Sequence, residues 1–173
     1  MIQPLAWTHR VAEIAEAGLQ ETRTTTEAER EALAQALDVL SCDDVKASYK
    51  VRPLGHGRYR VSGDVSARLT QQCVVTLEPV VQDLEESFDV EFWPAESLPA
   101  STDTEVEVLT AAEIEPIDHG LIDAGRIIFE TLSAGLDPYP RKPNAAFAWK
   151  DDNGSEPART GPFAGLSKLK DKQ

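Results

Sequence analysis

Three consecutive runs of alternating apolar and polar residues lie between Val45 and Phe92, and they constrain the fold of this chain most strongly. The first two runs, 45–52 and 58–70, each place aliphatic or tyrosine side chains on one face and mainly basic or hydroxyl side chains on the other. The turn-forming stretch "PLGHG" separates them. A period of two is typical of a half-buried strand, so these runs predict a β-hairpin with one apolar and one basic face. The third run, 84–92, predicts a neighbouring strand with an acidic face.

Two further segments have helical patterns. Thr26 and Glu29 have the spacing of a capping box, and leucine and alanine residues then recur at helical intervals, which predicts a helix at about 27–40. Asp118 is a candidate N-cap for a second helix at about 119–134, with Gly135 as its stop. Gly125 on the apolar side of that helix indicates a close crossing over the sheet.

The expected fold class is therefore α+β, with a twisted antiparallel β-sheet packed with two helices. We also expect a first strand within 5–14 and a short strand at 106–109. Residues 1–150 are predicted to form a single domain. From Asp151 the composition becomes polar and rich in Gly, Ser and Pro, which predicts a flexible, disordered C-terminal tail over 151–173. Within it Phe163, Leu166 and Leu169 recur every third residue and form a candidate docking motif for a partner.

Length and composition limit the class of protein. With 173 residues, 41% hydrophobic and 27% charged, the chain is ordinary globular material for one domain. The first residues lack a basic stretch followed by an apolar run, so we expect no secretory signal. No apolar segment approaches the roughly 20 residues that a membrane span requires. We therefore expect a cytoplasmic protein without membrane association.

Charge is distributed unevenly along the chain. The formal net charge of −13 argues against simple electrostatic capture of nucleic acid by the whole molecule. Residues 45–77, however, carry six basic and one acidic side chain, and residues 78–137 carry one basic and sixteen acidic side chains. A basic hairpin is thus followed by a strongly acidic block.

The polar face of the predicted hairpin is the candidate nucleic-acid-binding surface, because a flat basic sheet face can follow phosphates. Its basic side chains are Lys46, Lys50, Arg52, Arg58, Arg60 and Arg68. The alternative is that the acidic strand pairs with this face and neutralises it through Asp83, Glu85, Asp89 and Glu91. The sequence leaves both open. The face also lacks the aromatic side chains that stack bases on common RNA-binding sheets.

The residues that carry metal or nucleophilic chemistry are sparse. Cys42, Cys73, His9, His56 and His119 are all far apart in the sequence, and no local spacing resembles a zinc site. We expect the three histidines to be surface residues. Cys73 continues the inward phase of the second strand, so it is predicted to be a small buried apolar side chain. We therefore expect no catalytic residue, metal, cofactor or small-molecule substrate.

At "QCVVTLEPV" the sequence resembles the signature of a bacterial family. Cys73, Leu77 and Pro79 match a Cys-x-x-Cys followed by Leu-x-Pro, whereas Thr76 occupies the place of the second cysteine. The segments "LIDAGRIIFETLSAGLDPYPRKPNA" and "PFAGLSKLK" resemble a C-terminal helix with a proline-rich exit and a closing tail. Together they are similar to the YceD family of large-ribosomal-RNA accumulation proteins, in its alphaproteobacterial-type branch.

The resemblance implies a role in 23S rRNA synthesis, processing or accumulation, and hence in large-subunit assembly. It supplies no catalytic residue. The sequence and the resemblance together lead us to expect a non-enzymatic factor that binds rRNA, the pre-ribosomal large subunit or a basic ribosomal protein. The alternative is an acidic protein-binding adaptor with no direct RNA contact.

Overall fold

The computed structural model describes residues 4–98 and 113–146. Five strands form the central sheet in the order β2-β3-β4-β5-β6, with bounds Leu19–Thr24, Ser41–Gly55, Arg58–Gln72, Pro79–Pro94 and Glu113–Ile117. The first four are antiparallel to their neighbours, as predicted, but β6 is parallel to β5. The long β3–β4 hairpin and the acidic third strand are confirmed, and each is longer than its alternating run.

Two helices and a second, two-stranded sheet complete the described chain. Helix α1 is Glu27–Leu37 and helix α2 is Ala124–Gly135. Strand β1, Thr8–Arg10, pairs with β7, Leu121–Asp123, in antiparallel fashion. The α+β fold class is confirmed. No described helix is long and apolar enough to cross a membrane.

The hydrophobic core lies between one face of the central sheet and the helices. The inward side chains are those that the alternation predicted, and the following are buried: Val45, Ala47, Tyr49, Val51, Val61, Val65, Ala67, Leu69, Leu84, Phe88, Val90 and Phe92. They pack against Leu33 of α1 and Ile128 of α2. Each fully buried aliphatic or aromatic side chain contributes about 1.5–3 kcal/mol, so this face supplies much of the stability.

Tyr49 lies at the centre of the core, opposite Gly63 on the neighbouring strand. A Cβ at Gly63 would lie 2.6 Å from the Cα of Tyr49, so only glycine fits the neighbouring strand at this point. The ring of Tyr49 lies 6.5 Å from that of Phe88, and its hydroxyl forms a 2.8 Å hydrogen bond with Nε2 of His9. The prediction that His9 is a surface residue is therefore wrong, since β1 covers the inner face of the sheet and buries it.

Helix α1 begins where the sequence predicted and ends earlier. The side chain of Thr26 accepts a hydrogen bond from the backbone N–H of Glu29, and the Glu29 carboxylate accepts one from the backbone N–H of Thr26. Asp38 adopts a left-handed conformation with φ of 55°, which ends the helix at Leu37. Leu40, which the helical pattern placed on the apolar stripe, is instead 54% exposed.

Helix α2 begins five residues later than predicted. His119 and Gly120 have positive φ values of 48° and 71° and form a turn, and the chain then enters β7. The N-cap is Asp123, whose side chain accepts a hydrogen bond from the N–H of Arg126, and not Asp118. His119 is exposed as expected but lies in this turn, and Gly135 is the last helical residue rather than the stop.

Strand β2 was not predicted because its inward side chains are mostly polar. Leu19, Glu21 and Arg23 alternate with exposed residues, so no apolar period is visible in the sequence. Arg23 donates a 2.6 Å hydrogen bond to Glu21, and its guanidinium lies 5.9 Å from the centre of the Trp7 ring. One contact is between residues two positions apart and the other reaches Trp7, and together they replace the apolar packing that marks the other strands.

Gly125 makes the close crossing that its position indicated, although the partner is the segment that leads into β1. A Cβ at this position would collide with the backbone carbonyl oxygen of Leu5, and the N–H of Gly125 donates to the carbonyl of Trp7. We expect Gly125→Ala to lower the free energy of unfolding by about 1–3 kcal/mol, because overpacking against backbone outweighs the gain in helix propensity. Urea denaturation measures this.

Ser133→Ala on the same helix is the matched control, since Ser133 is exposed. Its effect should remain within about 0.5 kcal/mol. If Gly125→Ala and the wild type have equal free energies of unfolding, the close contact between Gly125 and the Leu5 backbone is contradicted.

Candidate nucleic-acid interface

The face of the central sheet opposite the core carries the charged residues that the sequence singled out, and we call it the outer face. On β3 it presents Lys46, Ser48, Lys50 and Arg52; on β4, Arg60, Ser62, Asp64, Ser66 and Arg68; on β5, Asp83, Glu85, Ser87, Asp89 and Glu91. The register fixes which of these are neighbours. Basic residues concentrate on β3, both signs occur on β4, and β5 is acidic.

Two of the six predicted basic residues are paired with the acidic strand. Arg60 donates two hydrogen bonds to the carboxylate of Asp89, at 2.6 and 2.7 Å. Arg68 donates two to Asp83, at 2.6 and 3.0 Å, and this contact holds the pKa of Asp83 below its usual range. The acidic strand therefore neutralises these two arginines, which makes them less available to an external anion.

The cations of β3 remain open, and we call Lys46, Lys50 and Arg52 the β3 row. All three are exposed, and none forms an ion pair with another residue of the described part of the chain. Arg52 lies directly opposite Arg60, an arrangement of like charges that disfavours folding when nothing compensates it. Asp89 compensates the charge of Arg60, which leaves Arg52 without a described counterion.

Arg58 has a different role from the other basic residues. Its guanidinium lies 5.0 Å from the centre of the Trp93 ring, in a cation–π contact. Trp93 follows the outward phase of β5, and its Nε1 donates a 2.9 Å hydrogen bond to Glu91. The outer face thus has one aromatic side chain at its end. The expectation of no stacking aromatic side chains concerned the β3–β4 hairpin, and Trp93 lies beyond it on β5.

Hydroxyl groups line the middle of the outer face between the β3 row and the acidic strand. A shallow depression of about 600 Å³ is lined by Lys50 and Arg52 of β3, by Ser48, Ser62 and Ser87, and by two carboxylates, Asp64 and Asp89. Cations beside hydroxyl donors are the groups that most often contact phosphate and sugar in nucleic-acid complexes. The arrangement suits a phosphate backbone and offers little to read bases.

Cys73 is buried, but its surroundings differ from those predicted. Strand β4 ends at Gln72, and Cys73 begins the turn that leads to β5. Its sulfur accepts hydrogen bonds from the backbone N–H groups of Thr76 and Lys142, both at 3.4 Å. Cys73 therefore lies outside the main apolar core and accepts hydrogen bonds in the turn.

These hydrogen bonds lower the pKa of the Cys73 thiol to about 6, with the Thr76 side chain as the largest cause and the N–H groups of Lys142 and Thr76 next. Desolvation acts in the opposite direction and is outweighed. Cys42, in contrast, has its pKa raised to about 11 because burial dominates. The two cysteines thus favour opposite protonation states.

The proline-rich exit from α2 closes over this turn. The N–H of Val74 donates to the carbonyl of Pro140 at 2.9 Å, and the ammonium of Lys142 lies 3.2 Å from the Glu78 carboxylate. This segment, 138–143, is the proline-rich exit of the stretch that resembles the family's C-terminal helix. The structure places it against the β4–β5 turn, away from the β3 row.

Three carboxylates that the sequence did not single out meet beside α2. Oxygen atoms of Glu113, Glu115 and Glu130 lie within 4.8 Å of one another. Arg126 forms ion pairs with Glu115 and with Glu130, the latter at 3.3 Å. This arginine offsets part of the negative charge and joins β6 to α2 through its ion pairs with Glu115 and Glu130.

A comparison with protein families identifies the chain. The family model described as "Large ribosomal RNA subunit accumulation protein YceD" matches residues 61–170, more than half of the sequence. The chain belongs to the YceD family. The match covers β4, β5, the acidic block and α2, so the resemblance of these segments is confirmed. Searches of curated proteins and of solved structures find no match to this chain.

The YceD description names accumulation of the large-subunit ribosomal RNA and no enzymatic activity. It gives no site residues, so the roles of the six basic residues stay predictions. Phe163, Leu166 and Leu169 lie outside the described residues, as do the strand predicted at 106–109 and the domain boundary predicted at 150.

The hydrogen bonds to Cys73 predict a pH-dependent contribution to stability. Because the folded state lowers the thiol pKa to about 6, the contribution is complete above the pKa of the unfolded thiol, about 8.5, and is lost as the pH falls towards 6. We expect the difference in unfolding free energy between the wild type and Cys73→Ala to increase from pH 6 to pH 9. Urea denaturation at several pH values measures it.

Cys42→Ala is the control for this series. Its raised pKa makes its contribution constant at pH 6–8 and smaller at higher pH, the opposite trend. A Cys73→Ala difference that does not change between pH 6 and pH 9 would show that the sulfur stays protonated.

Proposed function

We propose that this YceD-family protein is a non-enzymatic cytoplasmic factor that supports 23S rRNA accumulation and large-subunit assembly by binding immature rRNA through the β3 row. The observation that carries the proposal is the set of three exposed cations without described ion-pair partners, next to a floor of serine hydroxyls. The family description supports an rRNA-related role.

The local charge of the β3 row is compatible with the acidity of the whole chain. Ions at physiological strength screen charges beyond about 8 Å, so a phosphate at Lys50 interacts mainly with its immediate neighbours. Lys46 and Arg52 are six residues apart on one strand, a span of about 20 Å. The row therefore offers a linear track for several phosphates.

Contacts of this kind position RNA without reading its sequence. The only aromatic side chain that the described outer face presents is Trp93, and it is already in contact with Arg58. Three cations give modest affinity with a clear salt dependence. Recognition of a particular rRNA region would then depend on RNA shape or on a second component of the particle.

Neutralisation of the β3 row tests whether these three cations bind RNA. We expect the triple substitution Lys46→Gln, Lys50→Gln and Arg52→Gln to weaken binding to a 23S rRNA fragment. Loss of about three phosphate contacts should reduce the slope of log K against log salt by about 2–3. Fluorescence anisotropy over a series of salt concentrations measures both quantities.

Arg60→Gln with Arg68→Gln is the matched control for that experiment. These arginines lie on the same face but are bound by Asp89 and Asp83, so the salt slope should change by less than in the β3 variant. Unchanged RNA binding by the β3 variant would contradict the proposal.

Removal of the two aspartates that bind Arg60 and Arg68 is a further test of the proposal. We expect Asp83→Asn with Asp89→Asn to strengthen RNA binding and to steepen the salt slope by about 1–2, since Arg60 and Arg68 become available to phosphates. The same anisotropy series measures the change. Glu16→Gln with Glu31→Gln, two exposed acids away from the outer face, removes the same net charge and serves as the control.

The acidic side chains of β5 favour a second candidate function, that of an acidic adaptor that binds a protein and does not contact RNA. Glu85 and Glu91 form no ion pair with the described residues, and they make the β5 side of the outer face negative, which suits a basic ribosomal protein. Under this alternative, the triple β3 variant would still associate with pre-ribosomal particles. Glu85→Gln with Glu91→Gln would instead abolish binding of the basic ribosomal protein.

A further inference from the structure

Exposed apolar side chains are concentrated at one end of the central sheet, which we call the apolar end. Among the described residues, six large apolar side chains are exposed, and five of them lie at this end: Leu40, Val74, Leu77, Val81 and Tyr139. Leu54, the sixth, lies at the opposite end, beside the hairpin turn. Such clustering on one surface marks an interaction site more often than scattered apolar residues do.

Hydrogen bonds show that these five residues share one end of the sheet. The N–H of Leu40 donates to the carbonyl of Thr70, and Thr70 is the register partner of Val81. The amide of Gln72 donates to the carbonyl of Leu77, in the turn that also holds Val74. These bonds join the start of β3, the end of β4 and the start of β5.

Tyr139 reaches the same end through the exit of α2. The amide of Gln71 donates to the carbonyl of Asp137 at 3.0 Å, and the amide of Gln82 donates to the carbonyl of Gly135 at 3.2 Å. Two β-strands therefore fix the path of the chain after α2. The described chain ends at residue 146, only a few residues beyond the contact between Lys142 and Cys73.

We propose that the apolar end binds the chain's own C-terminal segment through Phe163, Leu166 and Leu169. The 27 residues that follow Ala146 leave the described structure next to this surface. The 17 residues from Ala146 to Phe163 have a root-mean-square span of about 20–25 Å when flexible. The sheet is about 50 Å long, so the segment reaches the apolar end far more often than the opposite end.

Covalent attachment and charge both favour this occupant over a free partner. A flexible linker of this length gives an effective concentration in the millimolar range, which is sufficient for three apolar side chains to bind. Lys168 lies between Leu166 and Leu169, and Lys170 and Lys172 follow Leu169. The carboxylates of Asp43 and Asp44 lie at the start of β3, and Asp137 lies beside Gln71 at the end of β4. Those of Glu78 and Asp83 are already bound by Lys142 and Arg68.

The test compares backbone amide NMR shifts of the full chain with those of the variant Phe163→Ser, Leu166→Ser and Leu169→Ser. We expect the variant to shift amides at Val74, Leu77, Val81 and Tyr139 and to leave those around Leu54 unchanged. The substitutions lie outside the described core, so a folding defect is not expected to obscure the result. The exposed patch substitutions Leu77→Ser and Val81→Ser should, in turn, shift the amides of residues 163–169.

Dilution separates the chain's own segment from a second copy. Shifts that remain constant from about 500 to 20 µM support binding within one molecule. Shifts that disappear on dilution would overturn the proposal in favour of exchange between copies, and identical spectra of variant and wild type would overturn it outright. Lys168→Gln, Lys170→Gln and Lys172→Gln should reduce the shift without removing it if the apolar contacts dominate.

Discussion

Burial of one face of three long strands is the interaction on which the rest of the structure depends. Valines, leucines and aromatic residues on β3, β4 and β5 point inward, and the two helices and the β1–β7 sheet cover them. Since successive side chains in a strand point to opposite faces, this burial places every intervening residue on the outer face. The charged surface is thus a direct consequence of the apolar core. A shift of one residue in the strand register would place the charged side chains inside and the apolar side chains outside.

The register of the same strands then decides which charges are available. It aligns Arg68 with Asp83 and brings Arg60 next to Asp89, so that β5 compensates β4 and leaves β3 open. Of the six basic residues on this face, Lys46, Lys50 and Arg52 have neither an ion pair nor a ring contact with another described residue. The YceD family description names accumulation of the large-subunit ribosomal RNA, and the β3 row is the surface that we propose for RNA binding, although the chain as a whole is acidic.

Polar contacts over long sequence distances account for most differences between expectation and structure. His9 is buried because β1 pairs with β7, whose register partners are 111 or more residues away, and because His9 lies over Tyr49. Cys73 accepts hydrogen bonds from Lys142, which belongs to the exit of α2. Strand β2 relies on Glu21, Arg23 and Trp7 rather than on an apolar stripe. None of these contacts produces an apolar period in the sequence, and periodicity therefore could not indicate them.

The sequence by itself determined the α+β class, the three long strands, the inward phase of their side chains, the capping box of α1 and the separation of basic and acidic blocks. These features depend on residues close together in the chain, and local geometry is sufficient to specify them. Only the tertiary structure decided that β6 is parallel to β5, that α2 begins at Ala124, which arginines are neutralised and what surrounds Cys73. Each of these depends on which distant residues become neighbours, and packing of the whole core selects that pairing.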